Sequence, residues 1–276
     1  VPELPEVEAV RRELQPVMEQ ARFVAVAARR PDLRTAFPSD FAERLIGHTV
    51  HALNRRGKYL LAELSSREVL IMHLGMSGSF RVESFDQSDL SGDFSDPRSV
   101  ASKHDHVVFA MSSGVTVVFN DPRRFGFMDV VSQAEISRHP ALRVMGLEPL
   151  TNEFDAAALA RACRGKKTSL KAALSDQRVV AGLGNIYVCE ALHRAHLSPK
   201  RRASTIATTT GLPKDPAVRL VKAIKKVLND AVLNLDASFR VYDREGARCR
   251  TAKCPGTVKR IVQSGRSTFY CPVCQR

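Results

Sequence analysis

Four of the six cysteines share one C-terminal stretch with the spacing C-x4-C-x16-C-x2-C, and no other feature limits the fold so strongly. Cys249 and Cys254 form one close pair and Cys271 and Cys274 the other, with enough chain between them for a β-hairpin. Disulfides do not persist in a reducing cytosol, whereas four thiolates can hold a tetrahedral ion, so one structural Zn2+ is the better reading. The surroundings agree. Pro255-Gly256 supplies a turn after the first pair, and residues 259–262 and 267–270 read as two short strands about Ser264-Gly265. The isolated Cys163 and Cys189 read as ordinary buried thiols.

From Cys249 to Arg276 there are six basic side chains and no carboxylate. The imbalance is wider than the hairpin: residues 1–150 hold 18 basic against 20 acidic side chains, and residues 151–276 hold 24 against 9. Charge concentrated in one half predicts a polyanionic partner gripped mainly by that half. Nucleic acid fits better than an anionic membrane, because the basic residues do not line an amphipathic helix with an aromatic apolar face. No apolar run reaches the roughly 18 residues of a spanning helix, and residues 1–30 lack a secretory-signal layout. The expectation is a soluble, cytoplasmic protein.

A chain of 276 residues predicts two packed domains. Val7, Val10 and Leu14 share one face of a leading helix from Pro5 to Gln15, and Pro16, with no amide hydrogen, is expected to end it. Residues 59–64, 69–73, 107–111, 115–120 and 126–131 read as strands, with Ser113-Gly114 as a hairpin turn. The Ser/Asp-rich stretch from Asp86 to Ser102 reads as a mobile loop. Residues 1 to about 135 thus form a mostly antiparallel sheet domain with one helix. From Phe154 the periodicity turns helical: Asp215-Pro216 is a start signal, after which Leu220, Ile224, Val227 and Ala231 face inward and Lys222, Lys225 and Lys226 outward.

A helix-like stretch from Ser169 to Leu174 runs into Val-Val-Ala-Gly-Leu-Gly-Asn at 179–185, and another helix begins at about Ile186. Gly182 and Gly184 would let the backbone approach a ligand closely, and the amides of the helix start favour an anion such as phosphate. A tight helical hairpin whose glycines only permit packing is an equal alternative.

Seven segments together carry a resemblance: Pro2-Glu3-Leu4-Pro5-Glu6-Val7-Glu8, Gly57-Lys58-Tyr59-Leu60, His73-Leu74-Gly75-Met76-Ser77-Gly78, Lys103-His104-Asp105-His106, Asp121-Pro122-Arg123-Arg124-Phe125-Gly126, Gly184-Asn185-Ile186-Tyr187 and the four-cysteine tail. In this order and combination the chain resembles the bacterial formamidopyrimidine-DNA glycosylase family over essentially its whole length. Leu4 separates it from the sister group resembling endonuclease VIII, which typically starts Pro-Glu-Gly-Pro. The resemblance implies an α+β fold: an N-terminal β-sandwich catalytic domain over 1–135, a linker over 136–150, a helix-two-turn-helix domain over 151–240 and a β-hairpin zinc finger over 241–276. It also implies a monomer that acts on damaged double-stranded DNA, excising oxidised bases and nicking the strand by β,δ-elimination.

By the same resemblance, the secondary amine of Pro2 attacks the sugar C1′ and forms an imine. An α-amino group with a pKa near about 8 is partly neutral at physiological pH, and the charged iminium is an electron sink for breaking the adjacent C–O bond. Val1 stands in front of it; a retained residue would leave the Pro2 nitrogen an amide, so the expectation is an alternative start codon read as Met and then removed. Glu3 is implied as the acid that protonates the opening sugar, although a Glu near a helix start more often complements the helix dipole. Lys58 is implied as a phosphate contact and proton donor in β-elimination. Arg266, on the hairpin, is implied in δ-elimination, where anchoring a phosphate suits a guanidinium better than giving up a proton.

A flipped nucleotide leaves a gap in the stack, and Met76, Arg123 and Phe125 match the family's void-filling trio of apolar wedge, base-pairing cation and aromatic wedge. His104, Arg123, Lys166 and Asn185 match positions that contact the DNA backbone. Two departures stand out. Leu235 to Val241 is too short for the family's Gly/Ser-rich segment of about twenty residues that caps the flipped base. This predicts ring-opened formamidopyrimidines, abasic sites and oxidised pyrimidines as better substrates than 8-oxoguanine. The first cysteine pair is also wider than the usual C-x2-C. An endonuclease VIII-like pyrimidine glycosylase and a catalytically inactive zinc-finger DNA-binding protein are the alternative readings.

Overall fold

The computed structural model describes residues 2–84 and 103–276, so the loop expected from Asp86 to Ser102 lies outside the described residues. Contacts divide the chain into two units, one of Pro2 with Glu6–Arg143 and the other of Glu3–Pro5 with Val144–Arg276.

In the first unit, helix α1 (Leu4–Met18) continues through Pro16, which corrects the expected end at Gln15. The missing amide falls in the last turn, where one backbone bond is forgone; burial of Leu14 and Met18 holds that turn, and the Glu19 amide closes it on the Gln15 carbonyl at 3.0 Å. Eight strands follow: β1 (Phe23–Ala28), β2 (Val50–Arg56), β3 (Tyr59–Leu64), β4 (Glu68–His73), β5 (Ser79–Ser84), β6 (Asp105–Met111), β7 (Val115–Asn120) and β8 (Phe127–Ser132). They form two four-stranded antiparallel sheets, ordered β2-β3-β4-β8 and β1-β6-β7-β5. Alternate residues of both sheets, among them Leu60 and Ala62 on β3, Val107 and Phe109 on β6, and Val117 and Phe119 on β7, meet in one core with Val7, Leu14 and Met18 of α1. This is the expected β-sandwich with its leading helix.

The second unit contains α2 (Ala156–Cys163), α3 (Leu170–Ser175), α4 (Asn185–Arg194), α5 (Asp215–Leu233) and the hairpin β9 (Lys259–Gln263) and β10 (Arg266–Tyr270). Asp155 and Ser169 cap α2 and α3 by accepting from the Ala158 and Ala172 amides. Helix α4 is central, with Tyr187 through His193 all buried. Leu220, Ile224 and Leu228 of α5 share its core, and the hairpin joins a smaller cluster through Cys189, Val241, Val258 and Phe269. Between α5 and the finger the chain takes a short path. Glu190, 5% exposed, accepts the amides of Arg240, Val241 and Tyr242 at 2.9–3.0 Å, which ties the root of the finger to α4.

Candidate active site and nucleic-acid interface

Glu3 is 2% exposed, and its carboxylate lies at the start of α4. Oε1 accepts from the Ile186 amide at 2.9 Å and Oε2 from the Tyr187 amide at 3.4 Å. The first amides of a helix lack intrahelical partners and carry partial positive charge, so a carboxylate is well placed there. Gly184 makes the approach possible: a Cβ on it would stand 2.3 Å from Glu3 Cδ. The neighbouring Leu4 amide donates to the Gly182 carbonyl at 3.0 Å. Both glycines make room for the chain's own side chains, Leu4 at Gly182 and Glu3 at Gly184, which is the packing alternative; the helix-start amides expected to receive a phosphate receive the Glu3 carboxylate. Pro2, half-buried, precedes this anchored carboxylate directly in sequence.

Near Glu3 the fold buries a cation that sequence reasoning missed. Lys171, on the interior face of α3, is 2% exposed. Burial pulls its ammonium below the usual lysine range and the field of Arg266 adds to this, while the charge of Glu3 acts in the opposite sense. Its signal in the sequence was its position beside Leu170 and Leu174, on a helix face that is otherwise apolar. Asn185, the first residue of α4, donates from Nδ2 to the Ser267 carbonyl at 2.9 Å and so holds β10 against the helix. Arg266, exposed at the start of β10, follows a two-residue turn in which Ser264 and Gly265 have φ of 51° and 72°, as a tight hairpin needs. Lys166 is half-buried in the connection after α2, its amide bonded to the Cys163 carbonyl at 3.1 Å.

The wedge residues and Lys58 lie in the first unit. Lys58 occupies the two-residue turn between β2 and β3 and not the strand itself. Met76 is half-buried, and Arg123 and Phe125 are exposed, with Phe125 at 42% and the Arg123 guanidinium 4.7 Å from its ring centroid. Two loops carry these side chains, and Asp121 fastens them together. Fully buried, it accepts the Ser77 hydroxyl at 2.6 Å and the Arg123 amide at 3.3 Å on Oδ1, and the Gly126 amide at 2.7 Å on Oδ2. Gly75 lets the loops touch, since a Cβ there would fall 2.3 Å from the Phe125 carbonyl carbon. His104 adjoins them by accepting the Asp121 amide on its carbonyl at 2.9 Å. His73 Nδ1 accepts the Gly75 amide at 3.0 Å; burial, with Lys58 and Arg34 nearby, pushes this imidazole down to about 4.

Cys249, Cys254, Cys271 and Cys274 place their Sγ atoms within 4.8 Å of one another, with Cys249–Cys274 and Cys254–Cys271 each at 3.7 Å. Thiolates about 2.3 Å from a common ion at tetrahedral angles are about 3.8 Å apart, so the set fits a structural zinc ion and the separations exclude disulfides. The widened first pair still closes on the set, with Lys253 taking a left-handed backbone (φ 60°) and the amides of Thr251 and Gly256 donating to Cys249 and Cys254 Sγ, each at 3.4 Å. Cys163 and Cys189 are buried thiols pushed up to about 11 by that burial.

Residues 1–128 match the family described as formamidopyrimidine-DNA glycosylase N-terminal domain, and residues 145–242 match its H2TH domain. Formamidopyrimidine-DNA glycosylase of Bradyrhizobium sp. BTAi1 is 62% identical, with 100% of both chains covered. The chain belongs to the formamidopyrimidine-DNA glycosylase family. Within that family the enzyme of Rhodopseudomonas palustris HaA2 is 60% identical over 100% of both chains. Among solved formamidopyrimidine-DNA glycosylases, the Lactococcus lactis protein non-covalently bound to DNA containing an AP site superposes with a TM-score of 0.84 at 29% identity over 99% of both chains. MutM in complex with DNA containing carbocyclic 8-oxo-G gives 0.84 at 30% identity over 100% of both. The alignment with the Bradyrhizobium glycosylase spans 293 positions against the 276 residues here, so it contains positions this chain does not fill. No helix among the described residues is long and apolar enough to cross a membrane.

Proposed function

We infer that this chain is a bifunctional DNA glycosylase and AP lyase that removes oxidised bases from duplex DNA in base excision repair, working in the cytoplasm as a monomer. The Pro2 nitrogen, once free, attacks C1′; the glycosidic bond breaks, the base departs, and the iminium accepts electrons as the C2′ proton is lost and the 3′ phosphate leaves. Glu3 supplies the proton for sugar opening. Lys58 and Arg266 hold the phosphates flanking the lesion and serve the β- and δ-elimination steps. Met76, Arg123 and Phe125 fill the vacated stack, and His104, Lys166 and Asn185 together with Arg123 contact the backbone.

The observation that carries this reading is the anchored carboxylate of Glu3, immediately after Pro2, on the Ile186 amide at 2.9 Å. An inactive DNA binder has no need of a buried acid beside an amine nucleophile. The short path from α5 to Val241 favours formamidopyrimidines, abasic sites and oxidised pyrimidines over 8-oxoguanine, because no segment of capping length is available there.

Borohydride trapping on an abasic duplex tests the chemistry. The chain is expected to become covalently joined to the DNA, and Pro2→Gly, which replaces the secondary amine, to lose most of the adduct. Cleavage without any trapped species contradicts the imine. A matched set of duplexes carrying each lesion tests the substrate order, and excision of 8-oxoguanine at the formamidopyrimidine rate contradicts it.

A further inference from the structure

The cysteine cluster has polar neighbours whose chemistry is constrained. His193 of α4 is 1% exposed, and its Nε2 lies 3.3 Å from Cys249 Sγ and 3.3 Å from Thr251 Oγ1. Thr251 sits inside the widened Cys249–Cys254 spacing; its amide donates to Cys249 Sγ at 3.4 Å and its hydroxyl lies 3.7 Å from Cys274 Sγ. A metal-bound thiolate has lone pairs and no hydrogen, so a polar group in contact with it must donate. This requirement puts the His193 proton on Nε2 and leaves Nδ1 as an acceptor.

Nδ1 is buried and has no partner among the described residues, and the same holds for Arg240 Nε. Both residues line one cavity of about 200 Å³. The cavity has room for a water, and one there would accept from Arg240 Nε–H and donate to His193 Nδ1, keeping the imidazole proton on Nε2.

We propose that His193 and Thr251 are outer hydrogen-bond donors to the Cys249 and Cys274 thiolates, and that they protect the zinc site by reducing the nucleophilicity of these two sulfurs. Donors stabilise the lone pair that would otherwise attack an electrophile or exchange the metal. The two residues added to the first cysteine spacing thus have a physical use: they make room for Thr251 beside His193. This inference is independent of the catalytic reading, since it concerns only the finger and α4.

The zinc-loaded full chain provides the test. His193→Phe keeps a planar ring and removes the donor, His193→Gln keeps a donor, and Thr251→Val keeps the shape of threonine without its hydroxyl. Zinc transfer to a colorimetric chelator is expected to be about tenfold faster in His193→Phe and within about threefold of the parent in His193→Gln. Iodoacetamide alkylation mapped by mass spectrometry is expected to rise first at Cys249 in His193→Phe and at Cys274 in Thr251→Val. Parent-like release and alkylation in His193→Phe overturn the proposal, as does an equal rise at all four cysteines, which signals a loosened finger. Should His193→Phe fail to fold, as read by circular dichroism, the Cys274 rate in Thr251→Val decides alone.

Discussion

Glu3 and Ile186 are 183 positions apart in sequence, yet the Glu3 carboxylate accepts the Ile186 amide at 2.9 Å. The bond places the proposed proton donor on a helix whose other residues hold the finger, through Asn185 to Ser267 and Glu190 to residues 240–242. Helix α4 is therefore the element from which both the acid and the hairpin bearing Arg266 take their positions.

Gly184→Ala tests that bond without touching Glu3. Gly184 has an extended backbone that alanine can adopt, but the new Cβ would stand 2.3 Å from Glu3 Cδ and push the carboxylate away. Misplacement by about 1 Å commonly costs about a hundredfold in rate, so single-turnover excision should fall by that order. Stability should fall by about 1–3 kcal/mol, as the Ile186 and Tyr187 amides lose their acceptor, with the folded state still well populated at assay temperature. Unchanged excision would mean that Glu3 need not occupy this position.

Asp121→Asn should loosen the wedge loops. Either Gly126 alone, or Ser77 and Arg123 together, then meet an amide NH2 in place of an oxygen, a loss of about 1–3 kcal/mol in stability for each unmet donor. Excision from duplex DNA should slow, while cleavage of a single-stranded abasic oligonucleotide, which has no stack to fill, should be nearly preserved. Equal slowing on both substrates would point to general unfolding.

His73 gives a pH signature. Its imidazole lies at about 4 in the folded chain against 6.5 as its ordinary value, with burial as the largest cause. Above 6.5 both states are neutral and the contribution is fully present; as pH falls from 6.5 to about 4 the unfolded chain takes the proton first and stability drops, by on the order of 3 kcal/mol in all. His73→Asn, which can still accept the Gly75 amide, should remove this part of the acid sensitivity. Parallel stability curves for parent and variant between those limits would refute the assignment.

Arg266→Ala and zinc removal should separate anchoring from architecture. The substitution is expected to reduce strand cutting by at least about tenfold while zinc content stays at one ion per chain. Chelation should abolish cutting and also disorder β9 and β10, seen as loss of near-ultraviolet signal from Tyr242 and Tyr270, because the finger's own apolar cluster is small. Equal loss of zinc in Arg266→Ala would contradict its proposed role.

The central strands and the edge strand β8 were legible, and the other three edge strands were not. β3, β4, β6 and β7 carry the long apolar runs that the sequence shows, whereas β1, β2 and β5, which it does not, are edge strands of their sheets. In β2 and β5 polar residues such as Asn54, Arg55, Arg81 and Glu83 interrupt the apolar signal, whereas β1 (Phe23–Ala28) is apolar throughout, and a short apolar run by itself does not separate strand from helix. The helix through Pro16 was misjudged because local propensity was outweighed by burial of Met18.

Local patterns alone determined the cysteine set, the hairpin between its pairs, the basic second half and the motifs that mark the family, because each depends on residues close together in sequence. The tertiary structure decided which anion occupies the start of α4, which lysine is buried near it, and which histidine stands against Cys249. Those outcomes depend on segments far apart in sequence meeting in a buried interior, where every charge and hydrogen-bonding group must find a partner. Only the packing of the folded chain chooses that partner.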